Sequence, residues 1–331
     1  MAVLVTGATG LLGNNLVRIC LEQGRRVKAL VRSEADPDPL AGLDVERVSG
    51  ELGDEEALRG AMQGVSLVLN CAGFVKIGWR ELETARRVNV AGAAMLARMA
   101  RAEGARFVHV SSVNTLALGR RDAPANESTP VAGHVPCAYV LSKTEGDQAI
   151  RDETDRGLDG VLVHPGFMLG PWDWKPSSGR MLLEVATYQP PLAPTGGCSV
   201  VDVRDVARGV LSAARQGRTG ESYILAGENL SYFNLWRLMA RRAGTRGPLT
   251  VLRQPVRGLI GFGADTWTRI RGHEADVNGA ALRMGAQYHY YSSEKAQREL
   301  SYKFGSAEAA IDAAWEWFVS HGMVHEKKSR K

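Results

Sequence analysis

Tyrosine precedes lysine by four residues at two places in this sequence, Tyr139 with Lys143 and Tyr291 with Lys295. Residues at this spacing lie on one face of a helix, because one turn takes about 3.6 residues. A phenol beside an ammonium group could exchange a proton with a substrate, but the same spacing also occurs in solvated surface pairs. Since the spacing does not separate the two pairs, the surrounding elements must decide which pair does chemistry.

Ser111 and Ser112 end a short apolar run, and the segment with Tyr139 and Lys143 follows after a loop. The pKa of a free tyrosine is about 10, and a nearby cation lowers it by favouring the phenolate. General acids work best when their pKa is near the working pH. A serine hydroxyl could hold a carbonyl oxygen while a hydride reaches the carbon. Ser112, Tyr139 and Lys143 are therefore the predicted catalytic residues.

Glycine recurs at every third position in the stretch VLVTGATGLLG, between the first predicted strand and the first predicted helix. These glycines permit a tight turn and let the backbone approach a pyrophosphate. The N-terminus of the following helix adds free N–H groups and a partial positive charge, which predicts a dinucleotide site. The predicted contacts of this loop are Gly7, Thr9, Gly10, Leu11, Leu12 and Gly13.

The second predicted strand ends in Val31 and Arg32, at the place where NAD sites usually carry an acidic residue for the ribose hydroxyls. A guanidinium group can instead form a forked, charge-assisted pair with a 2′-phosphate. The sequence therefore favours NADP(H) as the cofactor. NAD(H) stays open as an alternative, because Glu34 and Asp36 could still reach the ribose.

Two further segments lie where ligands bind in open α/β sheets, outside the carboxyl ends of the strands. The stretch SGELGD precedes a helix and could touch the adenine, and NCAG ends a strand with small residues that would let a cofactor pass. Ordinary close packing is the alternative explanation for both segments. The predicted contacts here are Glu51, Leu52, Cys71, Ala72 and Gly73.

Short apolar runs alternate with helical patterns, which predicts an α/β fold with a doubly wound parallel sheet, the Rossmann architecture. The predicted strands span 2–5, 26–32, 66–73, 106–112 and 160–166. The predicted helices span 11–24, 55–64, 85–104 and about 137–157, and a late helix spans 306–322. We assign 1–164 to the dinucleotide-binding core and 165–331 mainly to a smaller substrate-binding lobe. A segment at about 199–227 is expected to return and complete the core.

Seven motifs follow one another at suitable intervals along nearly the whole chain: TGATGLLG, NCAG, VNVAG, VSS, YVLSK, HPGFMLGP and VDVRDVARG. In these motifs the sequence resembles the extended branch of the short-chain dehydrogenase/reductase superfamily. The resemblance implies that Tyr139 exchanges the proton, that Lys143 binds the nicotinamide ribose and lowers the tyrosine pKa, and that Ser112 positions the substrate carbonyl. It also implies that a homodimer can form through paired helices.

The same resemblance assigns two further segments. Asn89, in VNVAG, matches a structural asparagine on the long helix, and HPGFM matches the stretch that passes the nicotinamide. The cofactor contacts implied for this stretch are His164, Pro165, Gly166 and Met168.

Within the superfamily, the end of the second strand is similar to that of the dihydroflavonol 4-reductase group rather than to NAD-type epimerases. Val31 and Arg32 carry this similarity, and Glu51 stands where an aspartate is usual. The stretch YYSSEKAQREL is also similar to that group, in which a strand leads to a late helix. Tyr291 and Lys295 are therefore interpreted as structural.

The segment LGPWDWKPSSGR has the composition of a loop and is expected to help define the substrate site. Its tryptophans could form the floor of a pocket for an apolar or aromatic substrate, and a basic residue could bind an anionic group of the substrate. Hinge packing and surface charge are the alternative roles. The predicted substrate contacts are Phe74, Trp172, Trp174 and Arg180.

These residues favour an NADPH-dependent reductase of ketones or aldehydes, or an alcohol dehydrogenase, in which Tyr139 exchanges the proton. The substrate would be a small-molecule carbonyl or alcohol. A nucleotide-sugar epimerase or dehydratase, or a 3β-hydroxysteroid-type dehydrogenase, would use the same three residues. A regulator that senses the dinucleotide without turnover is a third alternative, against which the intact catalytic set argues.

Composition narrows the choice of partners and location. The formal charge is +5 over 331 residues, but the basic residues are scattered and no nucleic-acid recognition motif accompanies them. An anionic ligand explains the charge better than nucleic acid does. The four cysteines form no CxxC pair, and the N-terminus does not resemble a signal peptide, which predicts a cytoplasmic protein.

Apolar runs in the sequence fall short of the roughly 20 residues that span a bilayer. The segment 255–272 mixes apolar residues with arginines and could lie over the pocket or touch a membrane surface, but its glycines weaken a helix there. Membrane contact is therefore not expected. His321 and His325 are four residues apart without a supporting acid, so no metal site is expected either.

Overall fold

The computed structural model describes residues 2–32, 38–254, 258 and 278–324. Glu34, Asp36, His325 and nearly all of the segment 255–272 lie outside the described residues, so the predictions made for them stay predictions. Among the residues that are described, no helix has both the length and the apolar character needed to cross a membrane.

The described strands are β1 (Ala2–Thr6), β2 (Arg26–Val31), β3 (Glu46–Ser49), β4 (Val65–Asn70), β5 (Arg106–Val110), β6 (Gly160–Pro165), β7 (Phe167–Leu169), β8 (Leu192–Ala193), β9 (Gly197–Asp202), β10 (Ser222–Leu225), β11 (Glu228–Ser231), β12 (Thr250–Val251) and β13 (Tyr288–His289). The described α-helices are α1 (Leu11–Glu22), α2 (Glu55–Met62), α3 (Leu82–Arg86), α4 (Ala93–Ala102), α5 (Ala138–Asp155), α6 (Gly179–Tyr188), α7 (Val203–Gln216), α8 (Tyr232–Arg242), α9 (Gly279–Met284), α10 (Glu294–Leu300) and α11 (Ala307–Ser320).

Seven strands form the main sheet in the order β3-β2-β1-β4-β5-β6-β10, and every neighbouring pair is parallel. A parallel sheet covered on both faces needs strands that are apolar throughout, and every residue of β1 and β6 is buried. One apolar layer lies between the sheet and helices α1 and α7, and a second lies between the sheet and helices α2, α4 and α5. The predicted doubly wound fold is confirmed.

A second, smaller sheet and its helices, called the lobe here, follow β6. Its sheet is built on β9, which pairs in parallel with β7 and β13 and antiparallel with β11. Helices α6, α8 and α11 pack around this sheet in a third apolar cluster. Within the segment expected to complete the core, α7 covers the main sheet and β10 extends it, whereas residues 199–202 belong to the lobe sheet through β9.

The helix predicted over 85–104 is not a regular α-helix throughout. Helix α3 passes into a π-helical segment, Arg87–Gly92, which passes into α4. A π-helical turn inserts about one residue and rotates the side chains that follow it. Gly92 lets this segment pack closely against Leu52, because a Cβ built at Gly92 would lie only 2.6 Å from the Leu52 Cβ. The irregular turn sets the direction of Asn89, which lies inside it.

Candidate active site

The turn between β1 and α1 is the tightest part of the predicted dinucleotide site. Gly7 has a φ of +66°, and a Cβ there would lie 2.8 Å from the backbone of Cys71 and Ala72. A Cβ at Gly13 would lie 2.1 Å from the Gly7 carbonyl oxygen. Glycine is needed at both places because the helix, the turn and the end of β4 touch through their backbones.

The N-terminus of α1 is open to an anion. Gly10 stands at the N-cap without a side chain to cap the helix, and the first turn contains no acidic residue. The first helical hydrogen bond runs from the Asn14 N–H to the Gly10 carbonyl at 2.9 Å. The N–H groups of Leu11, Leu12 and Gly13 precede this bond and therefore have no acceptor within the helix. Thr9 is half-buried and Gly10 is exposed. These groups fit the pyrophosphate of a dinucleotide.

Arg32 and Glu51 lie at the same edge of the sheet. The Gly50 N–H donates to the Val31 carbonyl at 2.9 Å, which holds the end of β3 beside the end of β2. Both Arg32 and Glu51 are exposed there. The Leu52 side chain, in contrast, is buried in the layer beneath the sheet, and the contact of this position with the adenine stays a prediction.

The NCAG stretch passes directly beside the predicted catalytic lysine. The Ala72 N–H donates to Thr6 Oγ1 at 3.1 Å, which fixes the chain at the end of β4. A Cβ at Gly73 would lie 3.4 Å from Asn89 Oδ1 and 3.8 Å from Lys143 Nζ. Burial raises the pKa of the Cys71 thiol to about 12, so Cys71 is not a nucleophile at neutral pH.

Ser112 and Tyr139 meet at the carboxyl end of β5. Tyr139 is the second residue of α5 and is 9% exposed. The side chains of Ser112 and Asn114 act on its phenol as hydrogen-bonding groups and lower its pKa, while burial has the larger effect and raises it. The Asn114 N–H also donates to Ser112 Oγ at 3.2 Å. Asn114 was not predicted, although its position two residues after Ser112 was a signal for it.

Lys143 lies on the same helix as Tyr139 and is buried. Its Nζ donates to the Val110 carbonyl at 2.9 Å, and burial lowers its pKa. Lys143 is not among the described groups that shift the tyrosine pKa, which is raised overall. The Lys143 ammonium is directed to the end of β5, and the lowering of the Tyr139 pKa expected from Lys143 stays a prediction.

Asn89 holds three segments together. Its Oδ1 accepts the Phe74 N–H at 2.8 Å, and its Nδ2 donates to the Phe74 carbonyl and to Ser142 Oγ, both at 3.0 Å. Gly146 allows this contact, since a Cβ there would lie 2.4 Å from the Asn89 carbonyl oxygen. Asn89 therefore fixes the loop with Phe74, a predicted substrate contact, against the helix with Tyr139.

The stretch from His164 to Met168 contributes differently from what the resemblance implied. The His164 side chain is fully buried, with Nδ1 3.2 Å from Thr115 Oγ1 and Nε2 3.1 Å from Ser222 Oγ. Its side chain cannot contact a cofactor at the sheet edge, so that prediction is wrong for the imidazole. Pro165 is buried, and Gly166 and Met168 are half-buried.

The two tryptophans of the loop after β7 pack against the last helix. The Arg18 guanidinium lies over Trp172, and its central carbon is 3.2 Å from the centroid of the Trp172 ring. Trp174 lies 5.3 Å from Trp317 between ring centroids and 5.1 Å from His321. These contacts fit the hinge-packing alternative, so the substrate role predicted for both tryptophans is not supported. Arg180 pairs with Glu184 at the surface of α6.

Apolar side chains surround the buried side of Tyr139, which lies in one cluster with Val135, Cys137, Val140, Ala280 and Met284. The last two come from α9, about 140 residues further along the chain. Sequence patterns gave no signal for this contact, because it depends on how the lobe folds back on the core.

The second tyrosine and lysine pair makes structural contacts, as predicted. Tyr291 is buried in a small apolar cluster with Val113 and Ile224, among others. Lys295 Nζ donates to Glu221 Oε2 at 2.6 Å and to the Ser222 carbonyl at 2.7 Å. Tyr291 and Lys295 therefore make separate structural contacts, and neither side chain lies beside the glycine turn.

A doubly wound parallel sheet with this glycine turn, and with Ser112, Tyr139 and Lys143 at its carboxyl edge, defines an extended short-chain dehydrogenase/reductase. Proteins of this class are NAD(P)-dependent oxidoreductases. Residues 3–226 match the NAD dependent epimerase/dehydratase family, and the chain belongs to that family.

Curated relatives include reductases that match almost the whole chain. A protein of Synechocystis sp. named "Putative dihydroflavonol 4-reductase" is 33% identical, over 97% of this chain and 95% of its own. "Sterol demethylase protein B" of Methylococcus capsulatus is 32% identical, over 98% and 100%. "Ceramide reductase" of Caulobacter vibrioides is 30% identical, over 81% and 78%.

The solved structure of gox2253 superimposes on this chain with a TM-score of 0.84 and 34% identity, over 97% of this chain and 98% of the other. The predicted superfamily and the similarity to dihydroflavonol reductases are both confirmed.

Proposed function

We propose that the protein is an NADPH-dependent reductase that converts a ketone or aldehyde of an apolar molecule to an alcohol. The observation that carries this proposal is the cluster of Ser112, Asn114 and Tyr139, with Lys143 on the same helix, beside the glycine turn. This arrangement supports Tyr139 as a proton donor next to the site proposed for a dinucleotide.

The bound cofactor would supply the hydride. Ser112 and Asn114 orient the Tyr139 hydroxyl, which gives its proton to the substrate oxygen as that oxygen gains negative charge. Lys143 would bind the ribose of the nicotinamide half through the ammonium N–H groups that do not donate to the Val110 carbonyl. Burial raises the pKa of Tyr139, so the phenol is protonated at neutral pH, as a proton donor must be, although the same shift makes it a weaker acid.

Apolar surroundings support the substrate class. The side chains that pack around Tyr139, among them Val135, Ala280 and Met284, are apolar and buried, so this side of the phenol offers no polar partner to a substrate. The names of two relatives refer to a sterol and a ceramide, both of which are largely apolar. We therefore propose a lipid-like carbonyl compound as the substrate.

Four free cysteines support a reducing location, which we propose is the cytoplasm. Cys20, Cys137 and Cys198 are buried, Cys71 is half-buried, and none of these four forms a disulfide.

A panel of carbonyl compounds tests the function. Loss of NADPH absorbance is measured with sterol ketones, keto-sphingolipids, small ketones and nucleotide sugars. Consumption with the lipid ketones supports the proposal. Tightly bound NAD⁺ in the purified protein, together with conversion of a nucleotide sugar and no net cofactor consumption, would favour an epimerase instead. Binding of NADPH without turnover across the whole panel would favour a dinucleotide-sensing regulator.

Arg32 provides a test of cofactor choice. Arg32→Ala should weaken NADPH binding about 30-fold, because a charge-assisted pair with a phosphate contributes about 2 kcal/mol. NADH affinity should change less than about twofold, since NADH lacks the 2′-phosphate. Dissociation constants from nucleotide fluorescence give both values.

Arg26→Ala is the matched control for Arg32→Ala, because Arg26 is an exposed arginine at the opposite end of the same strand. Its removal should leave both affinities unchanged. Equal loss of NADPH and NADH binding in Arg32→Ala would refute the role of Arg32 in selecting NADPH.

A further inference from the structure

Helix α5 carries a second buried charge one turn below Lys143. Lys143 and Asp147 are each 6% exposed, and four residues separate them, so both lie on the same face of the helix. Burial disfavours a charged ammonium, and the Asp147 carboxylate acts on Lys143 in the opposite direction. The neutral Val110 carbonyl is a hydrogen-bond acceptor for Lys143 but does not compensate its charge.

The groups that face Asp147 from the neighbouring strands are neutral. Asp147 Oδ1 lies 3.7 Å from His109 Nε2 on β5, and Oδ2 lies 3.9 Å from His164 Nδ1 on β6. Burial lowers the pKa of His109 to about 3 and also lowers that of His164. Arg151, the next basic residue on α5, donates to Ser222 Oγ at 2.7 Å and lowers the His164 pKa further.

A chain of hydrogen bonds fixes which nitrogen of His109 carries the proton. Thr6 Oγ1 donates to Asn70 Oδ1 at 2.7 Å, so the Asn70 amide nitrogen is the group that lies 3.1 Å from His109 Nδ1. An amide N–H donates, hence Nδ1 accepts and the proton is on Nε2, toward Asp147. The distance of 3.7 Å between His109 Nε2 and Asp147 Oδ1 is too long for a hydrogen bond. Asp147 Oδ1 therefore has no hydrogen-bond partner among the described residues.

We propose that Asp147 is a positioning residue that keeps Lys143 charged, as the buried counter-charge of the ammonium that lies beside the cofactor site. The consequence for the reaction rests on the function proposed above, whereas the charge state of Lys143 can be measured without it. His109 contributes only a neutral N–H to this arrangement, and Arg151, one turn further on, donates to Ser222, so Lys143 is the buried cation left on the Asp147 face of α5.

The direct test is the titration of Lys143 in the whole protein. Labelling with ¹³C at lysine Cε gives signals for nine lysines, and Lys143→Arg identifies the one that belongs to Lys143. In Asp147→Asn this signal should titrate at least about one pH unit lower than in the wild type, because the opposite charge has been removed. Asp147→Glu should restore most of the shift. An unchanged midpoint in Asp147→Asn would overturn the inference.

Glu153→Gln is the matched control for Asp147→Asn. Glu153 is a buried carboxylate on the same helix, paired with Arg101 at 3.2 Å and with Arg156 at 2.8 Å. Its removal should lower stability but leave the Lys143 midpoint in place. An equal shift in this control would show a general effect of helix damage and would also overturn the inference.

Turnover gives a second readout. The loss of turnover in Asp147→Asn should be small at pH 6 and should grow toward pH 9, because Lys143 then loses its proton earlier. A loss that is the same at every pH would indicate a merely structural role. If the Lys143 midpoint shifts but Tyr139→Phe keeps full turnover, the counter-charge stands and the proposed function fails.

Discussion

Tyr139→Phe should lower kcat for NADPH-dependent reduction about 1,000-fold, while NADPH affinity changes less than about threefold. A positioned general acid contributes roughly 10²- to 10⁴-fold to a rate, and phenylalanine removes the proton while keeping the ring. The ring matters because it packs in the apolar cluster at the start of α5. Steady-state kinetics and nucleotide fluorescence, measured on the same preparation, separate turnover from binding.

Tyr291→Phe is the matched control for this substitution. Tyr291 is also buried and also precedes a lysine by four residues, but its hydroxyl has no hydrogen-bond partner among the described residues. Removing that hydroxyl should leave kcat unchanged and should not lower stability, since an unpaired buried hydroxyl is unfavourable. Full turnover in Tyr139→Phe, or its loss in Tyr291→Phe, would refute the assignment of the proton donor.

Gly13→Ala should weaken NADPH binding about 100-fold and lower the free energy of unfolding by about 3 kcal/mol. The new Cβ would lie 2.1 Å from the Gly7 carbonyl oxygen, so α1 must move away from the turn. Overpacking of this kind costs about 1 to 3 kcal/mol or more, and here the displaced groups are those that fit the pyrophosphate. Fluorescence titration measures the affinity, and urea denaturation measures the stability.

Gly60→Ala shows what a glycine replacement does where space is available. Gly60 lies inside α2, and nothing comes within 4 Å of a Cβ built there. Alanine should stabilise the protein by about 0.5 to 1 kcal/mol, because it favours the helix and restricts the unfolded chain. Wild-type NADPH affinity in Gly13→Ala would contradict the close packing inferred for the turn.

Much of the core could be predicted from the sequence because each element carries its own pattern. The central strands of the main sheet are buried on both faces, and such strands appear as short apolar runs such as those at β1 and β6. The π-helical segment at Asn89 could not be seen, since one inserted residue barely changes an apolar pattern over two turns. Short lobe strands such as β7 and β8 were missed because they contain only two or three residues.

The catalytic set was predictable because it lies in local motifs, whereas its environment depends on distant residues. Ser112, Tyr139 and Lys143 each occupy a recognisable position in the sequence. The role proposed for Asp147 cannot be predicted from the sequence alone, because it depends on the burial of α5 against β5 and β6. The packing of the two tryptophans was not predictable for a similar reason, since aromatic composition does not tell which face of a loop Trp317 will cover.

The interleaving of core and lobe has a consequence for synthesis on the ribosome. The apolar layer beside α1 takes Val206 and Val210 from α7, Leu225 from β10, and then Leu300 and Tyr302 from the end of α10 and beyond. A nascent chain of about 165 residues holds six strands of the main sheet but lacks these side chains, so the face that α1 covers stays open where α7 will pack. The core cannot close until residue 302 has left the exit tunnel, and chaperone binding to nascent chains should therefore persist until that length.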